Sequence, residues 1–172
     1  DPVHRTTKSL DQKYESSGTY AWDGGALAPN GKIYCAPSRT GEVLVIDPSR
    51  GTSYTFGNFS VSAKGKWSGA VLSPNGKIYC MPHHESKILE IDPSRDTAKT
   101  IGKDYGTGAS KWSGGTLHTD GCIYGIPYSS KEVLKLNLGL SAATGPKGSE
   151  SWSLPGLPGN ILDPRSGYFN KF

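Results

Sequence analysis

The chain has no apolar run near the roughly 18 residues that a membrane-crossing helix needs, and no amphipathic helical stretch suited to lying on a membrane. It is therefore expected to be soluble, with no membrane span. A 3.6-residue apolar period is missing throughout, which excludes helical bundles and helical solenoids. Charge of one sign is never clustered. The 19 Lys and Arg residues are spread along the chain and leave a net charge of only +4, so the basic stripe of a nucleic-acid partner is missing. Cysteine is scarce: Cys35, Cys80 and Cys122 cannot all pair, and none belongs to a C-x-x-C motif. That spacing supports neither a zinc site nor a thioredoxin-type centre, and it reads as small buried apolar side chains. A reducing compartment fits these three thiols. The first residue is Asp1, consistent with an organellar location after removal of an N-terminal targeting segment.

Catalytic signatures are absent as well. There is no G-x-S-x-G elbow, no phosphate-binding loop and no H-E-x-x-H. Asp47 and Asp92 recur, but each sits in an Asp-Pro-Ser-Arg turn that accounts for it. Without a convergent constellation of reactive side chains, the sequence reads as a non-enzyme that needs no cofactor and no metal.

What the chain does have is glycine, proline and a period. Its 172 residues include 23 Gly and 12 Pro, a composition suited to short strands joined by many turns. Trp22, Trp67 and Trp112 recur every 45 residues, each opening a near-copy of one segment. The first copy runs Trp22-Asp23-Gly24-Gly25, Pro29-Asn30-Gly31-Lys32-Ile33-Tyr34-Cys35, then Val43-Leu44-Val45-Ile46-Asp47-Pro48-Ser49-Arg50. The second repeats it from Trp67, and the third drifts to Asp120-Gly121-Cys122-Ile123-Tyr124 and Val133-Leu134-Lys135-Leu136-Asn137. A fixed period of this length marks stacked supersecondary units.

Each unit offers four strands. In the first they are Gly25 to Ala28, Lys32 to Ala36, Glu42 to Ile46 and Ser53 to Phe56, small innermost and polar outermost. Pro29-Asn30-Gly31 makes a tight hairpin and Asp47-Pro48-Ser49-Arg50-Gly51 an Asx-type turn. The expected fold is all-β, with β-propeller-like blades of four antiparallel strands. The repeat domain covers 1–137, with blades at about 22–57, 67–102 and 112–137, and a Gly/Pro-rich arm follows over 138–172. Residues 5–14 match the end of a unit, with Tyr14 preceding Trp22 as Tyr105 precedes Trp112, and read as an orphan outer strand.

The alternation of Pro-Asn-Gly-Lys-Ile-Tyr with Val-Leu-Val-Ile-Asp-Pro resembles the YVTN and NHL-like class of propeller repeats over about residues 18 to 137. With Trp-Ser-Gly-Gly in front, it resembles a form found in uncharacterised algal and protist proteins. The resemblance implies a propeller fold and carries no catalytic residue with it.

Three blades are too few for a ring, since closed propellers typically have about 4–8. The remainder of the chain folds as an irregular fourth blade, a second copy completes six, or another protein covers the open edges. In the arm, Trp152, Tyr168, Phe169 and Phe172 are candidate partner-docking anchors. The loops at one end differ most between units: Ser38-Arg39-Thr40, His83-His84-Glu85 and Tyr128-Ser129-Ser130, with 58–66 and 103–111 between blades. Arg39, His83, His84 and Tyr128 are thus the candidate ligand- or partner-binding residues. Adjacent histidines on a strand point to opposite faces, so His83 and His84 read as solvated loop residues and not as metal ligands. Trp22, Trp67 and Trp112 either pack between blades, donating their indole N–H to a loop carbonyl, or offer stacking platforms to a glycan. The sequence therefore points to a protein-binding scaffold or accessory subunit of a larger assembly, with a lectin-like or small-ligand-binding propeller as the alternative.

Overall fold

The computed structural model describes residues 20–62 and 64–140, together with Thr7, Ser9, Leu10 and Tyr14. Within these residues the chain is all-β, built from three antiparallel sheets. Blade 1 holds β1 (Trp22–Leu27), β2 (Ile33–Pro37), β3 (Val43–Asp47) and β4 (Thr52–Phe56). Blade 2 holds β5 (Trp67–Leu72), β6 (Ile78–Pro82), β7 (Ile88–Asp92) and β8 (Thr97–Ile101). Blade 3 has three strands among the described residues, β9 (Trp112–Leu117), β10 (Ile123–Pro127) and β11 (Leu134–Leu136). Each sheet keeps its strands in sequence order, the meander of a propeller blade. No helix among the described residues is long and apolar enough to cross a membrane.

The turns close by the chemistry that their residues supply. In blade 1 the Asn30 side-chain oxygen accepts the Lys32 N–H at 3.1 Å, and its amide donates to the Tyr34 hydroxyl at 3.0 Å. Asn75 makes the same two bonds to Lys77 and Tyr79. Asp120 replaces the asparagine in blade 3: it accepts from the Cys122 N–H at 2.9 Å and from the Tyr124 hydroxyl at 2.8 Å. At the other hairpin, Asp47 accepts from the Ser49 hydroxyl at 2.6 Å and its N–H at 3.1 Å, and Asp92 does so from Ser94 at 2.6 and 3.0 Å. These bonds, led by the serine hydroxyl, hold both carboxyls below the usual carboxylate range. The recurring aspartates are turn formers.

The innermost strands β1, β5 and β9 lie side by side and stack the blades into an arc. Each carries a bulge at a glycine of positive φ: Gly24 (75°), Gly69 (66°) and Gly114 (72°). A Cβ on Gly24 would stand 2.7 Å from the Gly69 Cα, and one on Gly69 would stand 2.5 Å from the Gly114 Cα. Only glycine permits that approach. Two buried clusters fill the gaps between blades. One joins Tyr34, Ala36, Val43 and Val45 to Trp67, Ile78, Cys80, Leu89 and Ile91, and the other joins Met81 and Ile88 to Trp112, Ile123 and Leu134.

The three thiols are unpaired. Cys80 and Cys122 are buried and Cys35 half-buried, and burial pushes the Cys35 and Cys80 thiols above their ordinary range, which leaves both poor nucleophiles. Thr7, Ser9, Leu10 and Tyr14 lie in no strand; the rest of the orphan segment, and the arm from residue 141 onward, lie outside the described residues.

Candidate functional site

The strand ends at which the three tryptophans stand also carry the variable loops, and each tryptophan locks one of them. The indole N–H groups of Trp22, Trp67 and Trp112 donate to the carbonyls of Glu42, Lys87 and Glu132 at 2.8, 2.8 and 2.9 Å. An aromatic ring meets each indole edge-on: Tyr14 on Trp22, Phe59 on Trp67 and Tyr105 on Trp112, with centroids 5.1, 5.1 and 5.0 Å apart. Trp67 and Trp112 are 2% and 4% exposed, so neither presents a face to a ligand. Trp67 and Trp112 thus pack between blades with their N–H groups on loop carbonyls, and of the alternative, a stacking platform, only half-buried Trp22 keeps the option.

Two lysines next to these tryptophans add further locks. Lys66 is buried, with its ammonium donating to the carbonyls of Thr40 and Ser60; Lys111 donates to the Gly106 carbonyl at 2.9 Å. Burial lowers the pKa of both, partly offset by the nearby Glu85 carboxylate. Blade 1 has Ala21 at the equivalent position, so its loop end lacks this brace.

At that loop end a cleft of about 500 Å³ opens between blades 1 and 2. Blade 1 lines it with Tyr20, Trp22, Asp23, Ser38 and Arg39, and blade 2 with Lys64, Gly65, His83 and His84. Tyr20 is 74% exposed and held at φ 66°, an unusual backbone setting for a non-glycine residue. The Arg39 guanidinium lies 5.4 Å from the Tyr20 ring centroid, a cation–π distance. Arg39 and Lys64 outnumber Asp23 among its charged residues, so the cleft is net basic as well as aromatic.

The histidines differ from their expected placement. Their rings meet at 4.8 Å, because both follow the end of β6 in a bend where strand alternation no longer applies. Nor are they loosely solvated, since segments 64–66 and 108–111 bond to their backbone. A carbonyl oxygen only accepts, so Nδ1–H of His83 donates to Trp112 at 2.9 Å and Nδ1–H of His84 donates to Gly65 at 2.9 Å. His84 Nε2 then accepts from the Ser110 hydroxyl at 3.3 Å, and burial lowers its pKa. This leaves His84 neutral and structural at neutral pH. Tyr128, 71% exposed, packs on His83 at 5.7 Å and extends the patch onto blade 3.

Four predicted residues, Trp22, Arg39, His83 and His84, therefore line one cleft, with Tyr128 beside it; Trp152, Tyr168, Phe169 and Phe172 lie outside the described residues. Tyr20 escaped the sequence reading because a lone tyrosine before the repeat has no local signature. Among the described residues, no three His, Cys, Asp or Glu side chains converge in a metal-binding group.

No protein-family model matches the sequence, and no curated protein matches it. Solved structures do. A virginiamycin B lyase from Staphylococcus aureus is similar with a TM-score of 0.52 at 17% identity, over 73% of this chain and 44% of its own. A protein assigned as a gluconolactonase gives 0.53 at 16% identity, over 76% and 49%. An auxiliary nutrient binding protein from Bacteroides ovatus gives 0.52 at 17%, over 67% and 28%. The chain spans half or less of each neighbour's length. At these identities the likeness speaks for the fold alone, and the chain is a β-propeller-like repeat protein.

Proposed function

We propose that the chain is a non-catalytic, protein-binding module, a scaffold or accessory subunit, that receives a partner segment at the loop-end cleft. The observation that carries this reading is the gathering of Tyr20, Trp22, Arg39 and Tyr128 around one basic cleft. Tyrosine, tryptophan and arginine dominate protein-interface hot spots, because they bury much area at low entropic cost and hydrogen-bond at their tips. The cleft is open: Tyr20, Asp23 and Lys64 at its rim are exposed. A small molecule would stay half in water there, whereas a protein segment brings its own surface to cover the rim. Arg39 and Lys64 suit a segment bearing carboxylates. The finer likeness to YVTN and NHL-like repeats belongs to this reading too, supported by the two recurring hairpins.

Peptide phage display on the immobilised chain tests it. Acidic peptides with an aromatic residue should be enriched, and Arg39→Glu should weaken them by about 10-fold or more, the cost of a lost charge-assisted contact. Failure to enrich any peptide, or binders indifferent to Arg39→Glu and Tyr20→Ala, would sink the proposal. A second reading, a glycan stacked on Trp22, rests on the half-buried state of that indole alone. Sugar-dependent quenching of Trp fluorescence that Trp22→Phe abolishes would favour it.

A further inference from the structure

Equivalent positions in the three blades reveal which face each blade turns toward its successor. Ala36 and Met81 are both 0% exposed, but the equivalent Ile126 is 54% exposed. Val43 and Ile88 are 0% and 2% exposed, and the equivalent Val133 is 60%. This front face is covered by the next blade in blades 1 and 2, and among the described residues nothing covers it in blade 3. The inner strands agree: a Cβ on Gly24 or Gly69 would strike the next strand, whereas one on Gly114 would meet nothing within 4 Å. The rear face shows the mirror pattern. Ile33, Cys35, Leu44 and Ile46 of blade 1 are half-buried, while Ile78, Cys80, Leu89 and Ile91 of blade 2 are fully buried.

We propose that the front face of blade 3 receives the rear face of blade 1 from a second copy of this chain, and reciprocally, closing a two-fold ring of six blades. Each blade-to-blade seam matches a front-face side chain to the space left by two rear-face positions. At the first seam Ala36 shares a cluster with Ala70 and Cys80. At the second, long Met81 lies over Gly115 and Gly125, whose added Cβ atoms would come within 3.3 and 3.0 Å of it. At the proposed seam Ile126 would meet positions equivalent to these, Gly25 and Cys35, so a side chain of intermediate size meets one glycine and one cysteine. Both halves of the match are already present in a single chain.

The same arrangement supplies a use for the N-terminal sequence. Thr6-Thr7-Lys8-Ser9-Leu10 with Tyr14 aligns without a gap on Thr97-Ala98-Lys99-Thr100-Ile101 with Tyr105, the outer strand β8 and the ring that packs on Trp112. Tyr14 already meets Trp22 as Tyr105 meets Trp112. The blade preceding blade 1 in the ring is the second copy's blade 3, which has three strands among the described residues. Six blades fall within the usual range of about 4–8. The surface is separate from the loop-end cleft, and the inference does not depend on the ligand proposed there.

Sedimentation equilibrium of the whole chain at micromolar concentration is the test. The expected mass is twice the 18.3 kDa of one copy. Ile126→Lys on the front face and Leu44→Lys on the rear face should each return the protein to the single-copy mass. Both should keep a β-type circular dichroism spectrum and a cooperative melt, since neither residue is fully buried in one copy. Mixing the two variants should restore a dimer, because one intact front-to-rear seam survives in the pair. A wild-type chain of single-copy mass, as when residues 141–172 cover the face from within, overturns the proposal. A dimer that Leu44→Lys leaves intact does so too, since it would show front-to-front pairing.

Discussion

Between blades 1 and 2, Asp96 reaches across the seam and accepts the hydroxyls of Tyr34 and Tyr54, each at 2.6 Å, while Asn30 donates to the Pro93 carbonyl at 3.0 Å. Between blades 2 and 3, the equivalent tyrosine turns inward: the Tyr79 hydroxyl donates to Glu90 of its own blade at 3.2 Å, beside the Lys77–Glu90 ion pair at 2.7 Å. The second seam is held by shape, with Met81 seated over two glycines. Repeat-equivalent seams can therefore be fixed by a polar wire or by packing. The choice follows from a few residues: Glu90, which takes the Tyr79 hydroxyl, stands where unit 1 has Val45, and Met81 where it has Ala36.

The glycine ladder common to both seams should give the largest effect. Gly69→Ala places a Cβ 2.5 Å from the Gly114 Cα at a φ of 66°, so clash and backbone strain combine. We expect a loss of about 3 kcal/mol or more, enough to unfold a domain of marginal stability. Gly114→Ala, with nothing within 4 Å in one copy, should cost about 1 kcal/mol from φ strain alone. Urea denaturation in the Ile126→Lys background measures both on the single copy. Equal losses would show that inter-strand approach is not what selects these glycines.

The seams themselves separate next. Met81→Ala empties the packed seam and should cost about 2–4 kcal/mol, because a fully buried side chain leaves a cavity between rigid sheets. Asp96→Ala removes the acceptor shared by two tyrosine hydroxyls and should cost about 1–2 kcal/mol, less because Tyr54 is only half-buried and Tyr34 still reaches the Pro93 carbonyl at 3.2 Å. The double variant should be near the sum, since the two changes lie in different seams. A strong coupling would mean that the blades do not act as separate units.

The tryptophan period, the hairpin asparagines and the Asp-Pro turns could be read from sequence because each acts within a few residues of itself. Strand positions in blade 1 differ from expectation by a residue or so, apart from β1, which begins at Trp22 because the bulge at Gly24 keeps the strand paired with β2. The seams were not legible. Asp96 meets Tyr34 across 62 residues and has no acidic counterpart in unit 1. Lys66 looks like a surface cation in sequence, and only the folded loops reveal the carbonyls that let it be buried. Of the candidate site, the variable loops named Arg39, His83 and His84. The cleft that joins them to Tyr20 depends on how two blades face each other, which no local pattern encodes.

Alkaline pH gives the smallest effect and probes the polar seam alone. Burial, and then the hydrogen bond to Asp96, raise Tyr34 and Tyr54 above their ordinary pKa of 10. The folded chain thus holds these protons more tightly than the unfolded chain. Their contribution is fully present below about pH 10 and is lost as pH climbs from there through the raised folded values, because the unfolded state ionises first. The urea midpoint should accordingly begin to fall near about pH 10 and keep falling as pH rises further. Tyr34→Phe with Tyr54→Phe should flatten that fall while lowering stability at neutral pH, since the Asp96 wire is gone. Tyr79, raised chiefly by burial, belongs to the other seam, and its hydroxyl already bonds within blade 2. Tyr79→Phe should leave the Tyr34 and Tyr54 share of the slope unchanged. If it removed the whole slope instead, the alkaline sensitivity would belong to blade 2 itself, and the division into a wired seam and a packed seam would fail.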